Sequence, residues 1–225
     1  MGRRQGARNR DYDETRTALA RTLSRAMLRD DGSPATLADL AAAGGVSTTT
    51  LRHYFGDRDG AVAAALDVAR QDSATYLADA AEPAGRPPER TLEGLLLGAV
   101  LAWRAYGLDR VMTGGLAVGL GHEDLGRRFL TDLLEPFLVA AERLLEAHGA
   151  TGDLPVLGAE QRRRVALSLL SPVLLGLLHQ HALGGHAIRP LDLNTFARDH
   201  ADLMLTGIRS RATGGRSCDP APGRG

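Results

Sequence analysis

Between residues 47 and 53 the chain places Ser47, Thr48, Thr49, Arg52 and His53 close together, pairing hydroxyls with a guanidinium and an imidazole. On a helix, Leu51, Tyr54 and Phe55 at i, i+3 and i+4 turn inward and leave those five side chains outward. Hydroxyls bond phosphate oxygens or base edges, arginine reads guanine in bidentate fashion, and a helix N-terminus attracts phosphate. That is recognition chemistry rather than catalysis. His179, His181 and His186 invite a metal reading. On a helix, however, the first two point about 200° apart, and the third lies beyond Gly184-Gly185, so they do not converge. His122-Glu123-Asp124 reads as a helix start whose acids the dipole favours. No glycine-rich phosphate loop, nucleophile elbow or catalytic pairing around Cys218 is legible. Neither an enzyme, a metal site nor a cofactor is expected.

The elements that must position this group are short. Thr36 is an N-cap, and Leu37, Leu40 and Ala41 form the inward face of a two-turn helix. Gly44-Gly45 supplies a turn at positive φ, Val46 plugs it, and Ser47 caps the next helix. Two short helices around a glycine turn make the helix-turn-helix pattern, although an ordinary helical hairpin with a polar face has the same spacing.

The wider chain, 225 residues, is long enough for a sizeable core. Leu and Ala dominate and aromatic residues are only 4%, a balance that favours helix over strand. Leu19, Leu23, Ala26 and Met27 make one stripe on a helix from about Tyr12 to Arg29, which Asp30-Asp31-Gly32-Ser33-Pro34 stops. A helix over about 58–81 runs into the linker Glu82 to Pro88. Further helices are expected near 89–106, 108–119, 123–148, 158–184 and 192–210. The fold class is therefore all-α, an N-terminal three-helix helix-turn-helix domain over 12–60 and a larger helical domain over 61–211. A basic flexible arm at 1–11, with Arg3, Arg4, Arg8 and Arg10, precedes them, and a disordered tail at 212–225 follows. Formal net charge is zero, so only the arm has a polycation's means of tracking phosphates. The apolar run from Val165 to Leu183 is broken by Ser168, Ser171, Pro172, His179, Gln180 and His181, and reads as a buried helix rather than a membrane span. With one cysteine, no internal disulfide can form, which fits a cytoplasmic location; no secretory signal is expected.

Residues 16–66 resemble the N-terminal domain of TetR-type (tetracycline-repressor-like) regulators. The resemblance rests on Thr36-Leu-Ala-Asp-Leu-Ala, Gly45-Val46-Ser47, Thr50-Leu51, Tyr54-Phe55 and Arg58-Asp59, in order and spacing. It departs at Arg52, where the family usually has tyrosine, at Gly44 for alanine, at Arg58 for lysine, and at Met27 for the aromatic that often ends helix 1. The resemblance implies DNA contacts from Thr36, Ser47, Thr48, Thr49, Arg52, His53, Tyr54 and Arg58, the last holding backbone phosphate. Because Arg52 replaces an aromatic, sequence preference cannot be carried over from relatives.

TetR-like proteins join this reader to a helical domain that binds a small molecule and dimerises. Here the residues from Val165 to Leu178 are apolar almost all round, so one face suits the core and another a symmetry mate. Leu170, Leu174, Leu177, Phe196, Leu203 and Ile208 are the expected dimerisation residues; a single central core helix is the alternative. Trp103 and Tyr106 share one face, Phe129, Leu133 and Phe137 repeat along another, and Met112 lies between them. With Leu175 and His179 these are the expected ligand-binding residues, though an ordinary core shows the same stripes. Glycines 114, 115, 119 and 121 suggest either a hinged segment or a simple loop. The implied function is a ligand-responsive DNA-binding transcriptional regulator, a repressor by analogy. Its partners would be a palindromic double-stranded operator, an unknown small-molecule effector and a second copy, with no membrane. The alternatives are a small-molecule sensor whose DNA reading has degenerated, and an all-helical enzyme.

Overall fold

Helix follows helix along residues 5–105 and 107–214, the part described by this computed structural model. Tyr106, Arg3, Arg4 and Cys218 lie outside the described residues. The order is α1 Gln5–Leu23, α2 Leu37–Ala43, α3 Thr48–Phe55, α4 Arg58–Ala80, α5 Pro88–Ala105, α6 Leu108–Gly121, α7 Glu123–Phe129, α8 Glu135–Thr151, α9 Ala159–Leu177, α10 Gly185–Ile188 and α11 Leu193–Gly214. Two π-helical turns, Leu130–Leu134 and Leu178–Ala182, continue α7 and α9. The all-α expectation holds; the described residues contain no strand beyond one isolated bridge between Leu28 and Pro34.

Helix α1 differs from its expected span at both ends. It begins at Gln5, so residues 5–11 are helical rather than a flexible arm, and it ends at Leu23 rather than near Arg29. The Ser24 hydroxyl donates to the Arg21 carbonyl at 2.8 Å, a side-chain bond that competes with helix continuation. The chain then bends so that the Ala35 N–H donates to the Met27 carbonyl at 2.9 Å. Met27 is still buried, at 1% exposure, but a turn delivers it there rather than a continuing helix. At its other end, α11 extends past residue 211 to Gly214, where the tail was expected to begin.

The chain divides into two compact units, residues 1–77 with 102–137, and residues 78–101 with 138–225. In the first unit, α6 is a continuous helix in which Gly114, Gly115 and Gly119 mark close approach rather than a loop, whereas Gly121 at its end has nothing within 4 Å. A Cβ on Gly114 would sit 2.7 Å from Met27 Cβ, and one on Gly115 would sit 2.6 Å from the Phe129 ring and 3.2 Å from Leu66. A Cβ on Gly119 would stand 3.0 Å from the Gly126 backbone, so α6 and α7 meet nearly backbone to backbone.

The first π turn gives the unit a buried carboxylate. Asp132 is 7% exposed, with Arg70 at 3.8 Å and Arg128 at 3.6 Å, beyond hydrogen-bond reach, and its Oδ2 has no hydrogen-bond partner. Burial pushes the carboxyl above the usual range, and the two arginines offset this only in part. A raised folded-state pKa means that the ionised form is penalised on folding, in full at neutral pH. The penalty fades as pH falls through the raised value toward the ordinary carboxylate range. Asp132→Asn is therefore expected to melt above the wild type at pH 7, with the gap narrowing toward pH 4. Thermal melts across that range check it, and a variant less stable at pH 7 would contradict the assignment.

The second unit packs Leu92, Leu95 and Leu96 of α5, Leu144 and Leu145 of α8, Leu169 and Val173 of α9, and Ala197, Ala201 and Leu205 of α11, all buried. A buried histidine bolts α5 to α8. His148 lies 2.8 Å from the Thr91 hydroxyl through Nε2 and 3.3 Å from Asp153 through Nδ1. The three residue types resemble a nucleophile set, but Thr91 is 2% exposed and its hydroxyl also donates to the Pro88 carbonyl at 3.2 Å. The arrangement holds helices together. Gln180 in the second π turn does similar work, donating to the Arg189 carbonyl at 2.8 Å and accepting from the Leu191 N–H at 3.1 Å.

Candidate nucleic-acid interface

Local capping sets the helices that carry the candidate site. The Thr36 hydroxyl accepts from the Asp39 N–H at 3.2 Å, and Asp39 accepts from the Thr36 N–H at 2.9 Å. This reciprocal box starts α2, and the bonds from Thr36 hold the Asp39 carboxyl below its ordinary range. Ser47 Oγ accepts from the Thr50 N–H at 3.0 Å and starts α3. Between them Gly45 takes φ +65°, whereas Gly44 stays right-handed, contrary to the expected turn at both. Gly44 is small for another reason, since a Cβ there would come 3.3 Å from Leu19. Gly56, at φ +81°, ends α3 with its N–H donating to the Arg52 carbonyl at 2.8 Å.

Leu51 and Phe55 are buried, and Tyr54 is half-buried, as the inward face of α3 requires. Thr49, Arg52 and His53 are exposed on the opposite face, Thr48 is half-exposed, and Ser47 is exposed with its hydroxyl engaged in the cap. Thr36 is exposed at the start of α2, also with its hydroxyl engaged. Arg58 differs most from its expected role. Its Nε donates to the Ala35 carbonyl at 2.7 Å and its Nη1 to Asp59 at 3.0 Å, so it braces the start of α4 against the entry to α2. Tyr12 and Arg16 of α1, which α3's spacing alone does not signal, reach the end of the reader helix. The Tyr12 ring lies 4.8 Å from Tyr54 and 5.7 Å from His53, and the Arg16 guanidinium 5.3 Å from Phe55.

The fold is similar to those of solved structures. A TetR transcriptional regulator from Agrobacterium tumefaciens is 27% identical over 85% of this chain and 93% of its own, with a TM-score of 0.56. A TetR-family regulator from a Rhodococcus species matches at 21% identity and TM-score 0.61, covering 87% and 99% of the two chains. The chain has the TetR-type fold. The transcriptional regulator FadR from Bacillus subtilis, solved in complex with stearoyl-CoA, matches at 12% identity and TM-score 0.62 over 87% and 98% of the chains. No protein-family model matches the sequence, and no curated protein does.

Within this TetR-type frame the expected pocket residues fall into two groups. Trp103, Met112, Phe129 and Leu133 are buried and Phe137 is half-buried, all in the first unit. The Trp103 indole N–H has no hydrogen-bond partner. Leu175 and His179 belong to the second unit, where Leu175 is 64% exposed and His179 Nδ1 lies 2.8 Å from Gln180 Nε2. The expected dimerisation residues also divide. Leu203 is 69% exposed, Leu170, Leu174 and Phe196 are half-buried, and Leu177 and Ile208 are buried, Ile208 lining a groove between α9 and α11. A groove of about 330 Å³ between α9 and α11 is walled by Leu157, Val165, Leu203 and Met204 with Gln161 and Arg164 among them. Among the described residues no three metal-ligating side chains gather.

Proposed function

We propose that this chain is a ligand-responsive DNA-binding transcriptional regulator. It acts as a homodimer that sets two copies of α3 into major grooves of a palindromic operator and is released by a small molecule, hence a repressor. The observation that carries the proposal is the exposed polar face of α3, where Thr49, Arg52 and His53 project from a helix capped at both ends. The TetR-type regulators that share its fold support it. A small-molecule effector is supported by the FadR structure holding stearoyl-CoA. Dimerisation is supported by Leu167, Leu175 and Leu203 on α9 and α11, each more than half exposed. The segment α9 through Ala182 is long and apolar enough to cross a membrane; in this reading a second copy covers its exposed leucines and the protein works in the cytoplasm. Coupling is supported by His122 at the α6–α7 turn, 3.4 Å from Asp59 at the start of α4.

The test is a mobility-shift and sedimentation experiment on the full chain with duplex DNA from upstream of its own gene. A complex of two chains per duplex on an inverted repeat, weakening steeply with salt, is the expected result. Equal affinity for a scrambled duplex would remove the regulator reading and leave a small-molecule sensor.

A further inference from the structure

The last four carbonyls of a helix have no partner within it, and the way they are satisfied fixes how the final turn is held. In α3 these are the carbonyls of Arg52, His53, Tyr54 and Phe55, on the turn that presents the base-reading candidates. Local chain reversal satisfies the outer two, with Gly56 N–H donating to Arg52 at 2.8 Å and Asp57 N–H donating to Phe55 at 3.1 Å. The inner two are reached from α1. Tyr12 donates its hydroxyl to the His53 carbonyl, and Arg16 donates Nε to the Tyr54 carbonyl, each at 3.4 Å.

These bonds are long, but ring contacts reinforce both. Tyr12 lies tilted against Tyr54 and meets the His53 imidazole edge-on at 89°, while the Arg16 guanidinium sits over the Phe55 ring. Tyr12 and Arg16 are four residues apart and share one face of α1. His53 would otherwise be an exposed side chain free to choose among rotamers, and freezing it costs entropy when DNA binds. A ring fixed against its edge removes part of that cost in advance.

We propose that Tyr12, with Arg16, is a specificity-positioning residue: it touches no base, but clamps the last turn of α3 so that the His53 imidazole meets the major groove in one orientation. The inference rests on the DNA-reading function proposed above. It makes α1 a determinant of which sequence is preferred, beyond its place in the core.

The experiment is binding-site selection from a randomised duplex library with the full-length protein, for wild type, Tyr12→Ala, Tyr12→Phe and His53→Gln. Tyr12→Ala is expected to flatten preference by about fivefold at the base pairs that His53→Gln also flattens. Tyr12→Phe, which keeps the ring, is expected to retain most of the preference. The imidazole proton resonances of His53, assigned through His53→Gln, are expected to move in Tyr12→Ala and to stay near wild type in Tyr12→Phe. If Tyr12→Ala selects the wild-type motif unchanged, the positioning role is overturned while DNA reading stands. If the wild type selects no motif, the DNA reading falls, and Tyr12's role with it. Should Tyr12→Ala lose its helical circular dichroism, Arg16→Gln carries the same test: flattening at those base pairs supports the clamp, and an unchanged motif overturns it.

Discussion

Arg52→Ala is expected to weaken sequence-specific DNA binding by roughly 1–3 kcal/mol, about 5- to 150-fold in Kd, with little change on random duplex. The size follows from position. Arg52 is exposed on the outer face of α3, in the same turn as His53, on a helix whose C-terminus is held by Gly56 and α1. A guanidinium presented from a held backbone loses little entropy on forming a bidentate contact with a guanine edge. Removing it leaves the base unread and the phosphate contacts in place. Competition binding against specific and random duplexes separates these terms. An equal loss on both would make Arg52 a phosphate contact, and no loss on either would remove it from the interface. Arg58 is expected to behave otherwise, because its Nε and Nη1 are already bonded to Ala35 and Asp59.

Gly115→Val is expected to lower stability by roughly 2–3 kcal/mol, the upper part of the range for overpacked cores. Its Cβ would stand 2.6 Å from Phe129 Cδ2, 3.1 Å from Cε2 and 3.2 Å from Leu66 Cδ2. Phe129 is 5% exposed and Leu66 is fully buried, so neither can swing into solvent to make room. The whole of α6 would have to back away from α7 and α4. Gly94→Ala is the opposite case, an exposed glycine inside α5 with nothing within 4 Å of the added carbon. Its expected gain is up to about 1 kcal/mol, from helix propensity alone. Denaturant midpoints of the two variants check both at once. A Gly115→Val protein as stable as wild type would show that α6 is not seated against Phe129 and Leu66.

How far the sequence could be read follows the range of the forces involved. The helix-turn-helix was legible because everything that defines it acts within four residues. Thr36 and Ser47 accept from N–H groups three positions on, and Leu51 and Phe55 repeat at helical spacing. The same local logic misled at the end of α1, where the stripe through Ala26 and Met27 suggested a longer helix. There the Leu28–Pro34 bridge and the Ala35 to Met27 bond, made with a segment six to eight residues away, outweighed propensity. The π turns were invisible for a related reason. A single inserted residue is tolerated where it seats a group such as Gln180 between distant backbone atoms, and no periodicity announces that.

By itself the sequence determined that this chain is helical, where its reader helix begins and ends, and which side chains that helix turns outward. Tertiary structure decided the rest of the candidate site. It set Tyr12 and Arg16 beneath the last turn of α3, engaged Arg58 with Ala35, and made Gly114, Gly115 and Gly119 of α6 points of contact instead of a loop. It also chose between faces on α9, where Leu177 went inward and Leu175 outward, although both are apolar. A helix apolar on every side carries no local instruction about its rotation; only the neighbours it packs against supply one.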